Sequence, residues 1–313
     1  SFVRGREKFK QQLKTYFPAV QDQQSIDDYF TLLGNIKNLG MGFYLEKILP
    51  NFIAGIAAPL LRRKVLHYSD QTTLAVLQSL TNNEQLIGVL TAQYGDYGLP
   101  PSKSSFFMHA MVANHYMEGA AYPVGGAESI AKSIVPVIEA NGGLVLSNAK
   151  VAEIIVENNT AVGVKMSDDT LIKAPITISD AGVHTTFLQL LPQAVAQQHG
   201  LLEKLQQVAP AAAHVALYIG LKGSPQSLQL PQHNYWLFPD NYNHDASQAA
   251  YTDIDAPLPV TYLSFPSAKD PDWNKRYPDK STIEAITLVP YDWFKQWEAT
   301  DWHKRGESYD QLK

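Results

Sequence analysis

His109 and His115 are the closest histidine pair in the sequence, and at six positions apart they do not share a helix face as two metal ligands at i and i+4 would. The 313 residues include no cysteine, which removes thiol catalysis, disulfide frameworks and every Cys-ligated zinc or iron–sulfur centre. No metal site is expected. No H-E-x-x-H, G-x-S-x-G or G-x-x-x-x-G-K-[ST] string occurs, so the local signatures of zincins, α/β-hydrolases and P-loop enzymes are missing. Gly40-Met41-Gly42-Phe43-Tyr44-Leu45 starts like a dinucleotide fingerprint, but it ends on Leu45 with no β-run before it and reads as a helix junction. The stretch with most to offer runs from Tyr122 to Gly182. There Tyr122-Pro123 and the pair Gly125-Gly126 precede a helix, which leaves backbone N–H groups free, and short strands then carry the chain to Ile178-Ser179-Asp180-Ala181-Gly182. Read from the residues alone, this is a helix packed on a hairpin sheet that could lie under any ligand site.

The elements that must position these residues change character along the chain. Phe9, Leu13, Tyr16 and Phe17 recur at helical spacing and stop at Pro18, after which Ser25 reads as the cap of a helix through Ile26, Tyr29, Phe30 and Leu33. Further helical patterns run through Leu74, Leu77 and Leu80 and from Asn83 to Tyr94; Gly95-Asp96-Tyr97-Gly98-Leu99-Pro100-Pro101 then breaks the pattern. Helix returns from Ser105 to Ala140, interrupted at Tyr122 to Gly126. After Gly142-Gly143 the period becomes that of strands, at Leu144 to Leu146, Ala152 to Val156, Ala161 to Met166 and Leu171 to Ser179. Four later runs, Val215 to Leu221, Tyr235 to Phe238, Val260 to Phe265 and Thr282 to Val289, are also strands, and a helical tail follows Tyr291. Helices early and strands late predict an α+β fold. With 45% hydrophobic residues, 18% charged residues and a net charge of -5, the chain has ample material for a core and no overall attraction for nucleic acid.

Several of these segments resemble FAD-dependent flavoproteins of the amine-oxidase type. They are Tyr122-Pro123, Gly125-Gly126, Asn148-Ala149, Val151, Ile154, Ala161-Val162-Gly163-Val164, Ala174-Pro175 and Ile178 to Gly182. Within that superfamily Tyr94 to Pro101, Phe265 to Pro271 and Trp293 to Trp297 are similar to the phytoene desaturase, carotenoid isomerase and retinol saturase (all-trans-retinol 13,14-reductase) branch. The resemblance implies FAD as cofactor of the whole protein, with Val151 at the adenine through its backbone and Ser179, Asp180, Ala181 and Gly182 near the dinucleotide. For Val151 an ordinary strand role stays open beside that one. NAD(P) is a second cofactor option. The strand, G-x-G-x-x-G turn and helix that open such proteins are not in this sequence, nor is the Gly-rich segment that closes them. Together with Ser1 in place of a starting Met, this makes the chain look like an internal fragment, one expected not to retain FAD by itself.

The resemblance thus implies an α+β architecture in three parts. Residues 1–120 would be a largely helical part of the substrate domain, 121–190 the helix and β-meander of an incomplete, Rossmann-like FAD-binding domain, and 191–313 the mixed or antiparallel substrate-domain sheet with helices. The implied activity is desaturation, saturation or isomerisation of an apolar polyene, carotenoid or retinoid-like. Such a substrate asks for an apolar tunnel, for which Tyr218, Tyr235, Trp236, Phe238, Tyr262 and Phe265 are candidate walls, and no catalytic acid or base stands out. Two alternatives remain, an amine-oxidase-like enzyme acting on a polar amine and a non-catalytic module that binds an apolar ligand.

The apolar run Ile48 to Leu61 is too short to span a bilayer and holds Pro50 and Pro59. With the cations behind it, it has the composition of a peripheral membrane contact through Ile48, Ile53, Ile56, Leu60, Arg62 and Arg63; a buried helix with a solvated basic end is the other reading. No secretory signal opens the chain, so the expected setting is the cytoplasm, with or without membrane association.

Overall fold

Ile26, Tyr29, Phe30, Leu33 and Ile36 recur every three or four residues, and a computed structural model folds them onto one buried stripe of a long helix, α2 (Val20–Ile48). The structure describes residues 2–207, 213–239, 241–298, 300 and 304–312, with the backbone alone at 51, 52, 54–57, 60 and 61. Helices α1 (Arg6–Tyr16), α3 (Asn51–Ser69) and α4 (Thr73–Leu80) pack on α2; α5 (Glu84–Leu90) follows α4, and α6 (Phe106–Tyr116) lies against α2 and α3. Thr72 and Asn83 cap α4 and α5, their side chains accepting N–H groups of the first turn. Phe30, Leu33, Ile36, Leu77, Leu86 and Phe106 are essentially inaccessible to water. Each contributes about 1.5–3 kcal/mol by its burial, so the bundle has a core of its own.

Two local expectations fail here. Ser25 lies inside α2, not at its start, because the helix resumes directly after the break at Pro18; its hydroxyl sits 3.0 Å from the Gln21 carbonyl and 2.7 Å from that of Leu80. Gly40 to Leu45 is no junction, since α2 runs through it. The missing side chain at Gly40 lets α6 close in: a Cβ there would lie 3.2 Å from Met111 Sδ.

Contacts divide the chain into two units, Ser1–Ala127 with Ala212–Lys313, and Glu128–Ala211. The second unit holds α7 (Glu128–Ala140), strands β1 (Val151–Glu157), β2 (Thr160–Met166) and β3 (Leu171–Lys173), a π-helical turn at Thr185–Leu190, and short helices α8 (Gln193–Gln198) and α9 (Leu201–Gln206). Its sheet is antiparallel in the order β1-β2-β3. Asn158 and Asn159, both at positive φ, make the tight turn between β1 and β2. Gly163 is a geometric necessity: its φ is 150°, and a Cβ would stand 2.2 Å from the Ile172 carbonyl oxygen on β3. The expected strand at Leu144 to Leu146 does not form, and β3 stops at Lys173 apart from one further bond from the Ala174 N–H to the Val162 carbonyl (3.0 Å). A strand needs a hydrogen-bonded neighbour, and among the described residues nothing pairs with 144–146 or 175–179.

The other sheet belongs to the first unit. Strands β4 (Ala213–Lys222), β5 (Tyr235–Leu237), β6 (Thr261–Ser264) and β7 (Lys280–Val289) pair antiparallel in the order β4-β7-β6-β5. The expected helical tail is a 3₁₀ stretch at Tyr291–Trp297 and a short helix at Glu307–Leu312. The α+β expectation, with helices early and antiparallel sheet late, matches the architecture.

Candidate functional site

Directly opposed residues of antiparallel strands share a face, which makes the register of the four-stranded sheet a map of its surface. Ala216, Ile286, Tyr262 and Trp236 stand side by side across all four strands, and His214 opposes Leu288 in the next row of the same face. These rows form the floor of a cavity of about 350 Å³, lined by His214, Trp236, Val260, Tyr262, Ile286, Thr287 and Leu288, with Gly95 and Asp96 closing it from a 3₁₀ turn at Tyr94–Asp96. Gly95 cannot be replaced without moving the wall, because a Cβ would meet the Trp236 ring at 2.4 Å.

Buried polar groups hold that turn in place. The Tyr97 hydroxyl lies 3.2 Å from His109 Nδ1, and His109 Nε2 lies 2.9 Å from the Tyr29 hydroxyl in the bundle core. Burial lowers the His109 pKa to about 4, so the ring is neutral at physiological pH and accepts a hydrogen bond from one tyrosine hydroxyl while donating one to the other. Burial also pushes both phenols well above their ordinary range. Asp96 is exposed, yet the protein around it raises its carboxyl above the usual range, against the lowering effect of its hydrogen bond with Tyr116. Tyr262 is raised by burial and by the charge of Asp96, in spite of a hydrogen bond with Ser264.

A second anchor fixes the Tyr122–Gly126 turn. Asp270 is buried and accepts the N–H groups of Gly125 and Asp272, each at 3.0 Å, and it pairs with Arg276. Burial alone would raise its carboxyl; those N–H groups and the guanidinium together hold it below the usual carboxylate range.

Of the expected wall residues, Trp236 and Tyr262 line the cavity. Phe265 is core, Phe238 packs on Tyr94 and His244, and Tyr218 and Tyr235 are exposed. Sequence reading missed Asp96 and His214; the only hint was the turn composition around Asp96, since its proximity to Tyr262 requires the sheet.

In the second unit, Val151 opens β1, an outer strand, so one line of its peptide groups faces no neighbouring strand among the described residues. Ser179, Asp180, Ala181 and Gly182 are exposed. The Ser179 hydroxyl lies 2.7 Å from that of Thr186, the Gly182 carbonyl accepts the Thr186 N–H (2.9 Å), and the following π-helical turn packs against β1. Ala161-Val162 and Ala174-Pro175 come together around an open hollow of about 410 Å³ with Thr160 and Lys173. An unpaired peptide edge suits the reading of an adenine by main-chain groups, whereas no G-x-G-x-x-G turn for a pyrophosphate occurs in the sequence.

Of the expected membrane residues, Ile48, Ile53 and Arg63 are exposed, while the side chains of Ile56 and Leu60 lie outside the described residues. Arg62 is engaged by the nearly inaccessible Glu46, to which its Nε donates at 2.6 Å; this bond holds the Glu46 carboxyl below its usual range. Among the described residues no helix is long and apolar enough to cross a membrane.

The architecture is shared with a solved structure of an oxidoreductase from Methanosarcina mazei, at a TM-score of 0.53 and 20% identity, over 81% of this chain and 56% of that one. The class is therefore an α+β fold shared with that protein. No family model matches the chain. Two zebrafish (Danio rerio) proteins, named all-trans-retinol 13,14-reductase and inactive all-trans-retinol 13,14-reductase, are 34% and 33% identical over 99% of this chain and cover 53% and 52% of their own lengths. Prolycopene isomerase of carrot (Daucus carota) is 29% identical over 51% of the chain and 24% of its own length. The chain is thus similar along its length to the retinol reductases, and over parts of its length to a carotenoid isomerase and a phytoene desaturase, the branch that its motifs resemble. It spans about half the length of the curated retinol reductases it matches.

Proposed function

We propose that the protein is an FAD-dependent oxidoreductase acting on an apolar polyene of the retinoid or carotenoid kind, and that the sheet cavity of the first unit is its substrate site. The observation that carries this reading is the 34% identity to an all-trans-retinol 13,14-reductase over 99% of the chain. When bound, the flavin supplies the electron-pair chemistry. The chain's own residues do the rest. Ile286, Leu288, Val260 and Trp236 offer an apolar bed that excludes water, and Gly95 and Asp96 close it. The open edge of β1 at Val151 and the segment Ser179–Gly182 would face the adenine side of the cofactor. The comparisons lend NAD(P) no support, and neither the amine-oxidase-like nor the binding-module alternative is favoured by the names of the relatives. One relative of equal similarity is named inactive, so turnover is the deciding measurement. The protein in its full encoded length is expected to carry a visible flavin band and to change the polyene absorbance of all-trans-retinol or a carotenoid. A colourless protein without turnover on either would overturn the reading.

Peripheral lipid contact belongs to the same reading. Met41, Tyr44, Leu45, Ile48 and Ile53 are exposed along α2 and α3, beside the exposed cations Lys47, Arg63 and Lys64. Arg62 is better left untouched, because its substitution would strand Glu46. Vesicles of anionic lipid should sediment the wild type and release it when Arg63→Glu/Lys64→Glu or Ile48→Asp is introduced, with weaker binding at higher salt. Equal sedimentation of all three would exclude this contact.

A further inference from the structure

His109 joins the helical bundle to the wall of the sheet cavity. Its ring meets Tyr29 on α2 and Phe106 on its own helix, both sealed from water, and on the third side Tyr97 of the turn, which is only half-buried. A neutral imidazole serves both hydroxyls, because one nitrogen accepts while the other donates. Protonation makes both nitrogens donors and places a charge in the core. The charged groups nearby act on the tyrosines: Arg6 of α1 on Tyr29, and Asp96 and Asp245 on Tyr97. Of the other helices against α6, α3 brings Tyr68 onto Phe106 and α4 carries no charged residue. Burial alone displaces the His109 titration, so no carboxylate among the described residues offsets the charge.

We propose that the Tyr94–Tyr97 turn is an acid-released latch of the sheet cavity: when His109 takes a proton, Tyr97 is displaced toward solvent and the turn draws back from Trp236. Water can reach the charged ring only from the turn side, since Tyr29 and Phe106 close the other sides. Tyr97 is the neighbour able to leave, and Ser104 is its second hydrogen-bond partner. The following Gly98 stands at φ 79° with open space where a Cβ would be, which suits a hinge. Beyond it the Leu74 N–H bonds the Pro101 carbonyl (2.9 Å) and the Thr73 N–H that of Ser104 (2.8 Å), so the movement stays within the turn. Gly95 lies so close to the Trp236 ring that any shift of the turn changes the surroundings of that ring. Once released, His109 regains its ordinary basicity, and falling pH therefore favours the open turn. Two other titratable groups touch the turn. His244 packs on Tyr94 at 5.1 Å with Nε2 2.8 Å from the Gly88 carbonyl, a bond that a protonated ring keeps. Asp96 opposes opening, because the closed turn raises its carboxyl and favours the protonated form there; being exposed, it is outweighed by the enclosed His109. The latch works whatever the cavity binds.

The test follows the protein in its full encoded length, labelled with fluorotryptophan, by fluorine NMR from about pH 8 to about pH 4, while circular dichroism reports the fold. Trp236→Phe identifies the Trp236 signal. That signal should move reversibly with a midpoint between about 4 and 6.5, the folded and ordinary values of His109, ahead of any change in ellipticity. His109→Gln, whose amide donates and accepts without titrating, should hold the signal in its neutral-pH position over the same range. Tyr97→Phe should show the acid position already at neutral pH. A Trp236 signal that moves only with the ellipticity, one that moves as in the wild type in folded His109→Gln, or a Tyr97→Phe variant that keeps the neutral-pH position would each overturn the latch. Should His109→Gln fail to fold, Tyr97→Phe decides by itself.

Discussion

Phe106 on α6 and Ile134 on α7 are both large apolar residues on helices, yet Phe106 is 0% exposed and Ile134 52%. The difference runs through their surroundings. In the first unit, α2 meets α1, α3, α4 and α6 on successive sides, so its apolar stripe is covered by neighbours from the same unit. In the second unit α7 buries none of its residues, and Ile130, Val137, Leu144, Ile176 and Ile178 are exposed as well. Only Ile154, Met166, Ala196 and Leu205 are buried hydrophobics among its described residues. An apolar periodicity therefore tells that a face is to be covered, not that this chain covers it.

Substitutions at the two contrasted positions sharpen this comparison most. Phe106→Ala should cost about 3–5 kcal/mol in denaturant unfolding, the usual price of emptying a packed aromatic site. A loss below about 1 kcal/mol would mean that the bundle is not the stable core described here. Asp270→Ala should cost about 3 kcal/mol, at the low end for a broken buried pair because Arg276 is still able to reach water. It should also loosen the Tyr122–Gly126 turn, measured as faster amide exchange at Gly125. The Asp270 carboxyl is held below its unfolded pKa, so its stabilisation is present above the unfolded value and lost as pH falls through the folded one.

His109 gives the pH dependence of the bundle. Its ring titrates near 4 when folded against an ordinary 6.5, so on acidification the unfolded chain takes up the proton first. Stability from this group is full above pH 6.5 and declines by up to about 3 kcal/mol toward pH 4. A stability profile of wild type against His109→Gln should show that decline only in the wild type. The smallest effect is expected in the second unit: Ile134→Asp should change stability by less than about 0.5 kcal/mol and reduce self-association in light scattering. A large destabilisation would show that α7 is covered in solution.

Much of the framework was legible in the sequence for identifiable reasons. The strands Ala152 to Val156 and Ala161 to Met166 were readable because alternation and the Asn158-Asn159 turn are local signals, and the same holds for Thr282 to Val289. Leu144 to Leu146 misled because strand propensity is local while strand pairing is not. Ser25 misled because a hydroxyl that suits a helix cap also bonds the Gln21 and Leu80 carbonyls from inside α2.

The site divides along the same line. Apolar periodicity, turn composition and the absence of cysteine are properties of neighbouring residues or of the whole count, and by themselves they determined the α+β class and the exclusion of thiol chemistry. Asp96 beside Tyr262, His109 between Tyr29 and Tyr97, and Arg62 taken by Glu46 were decided only by the tertiary structure. Each joins groups from separate elements, whose meeting depends on strand register and helix packing that no local pattern specifies.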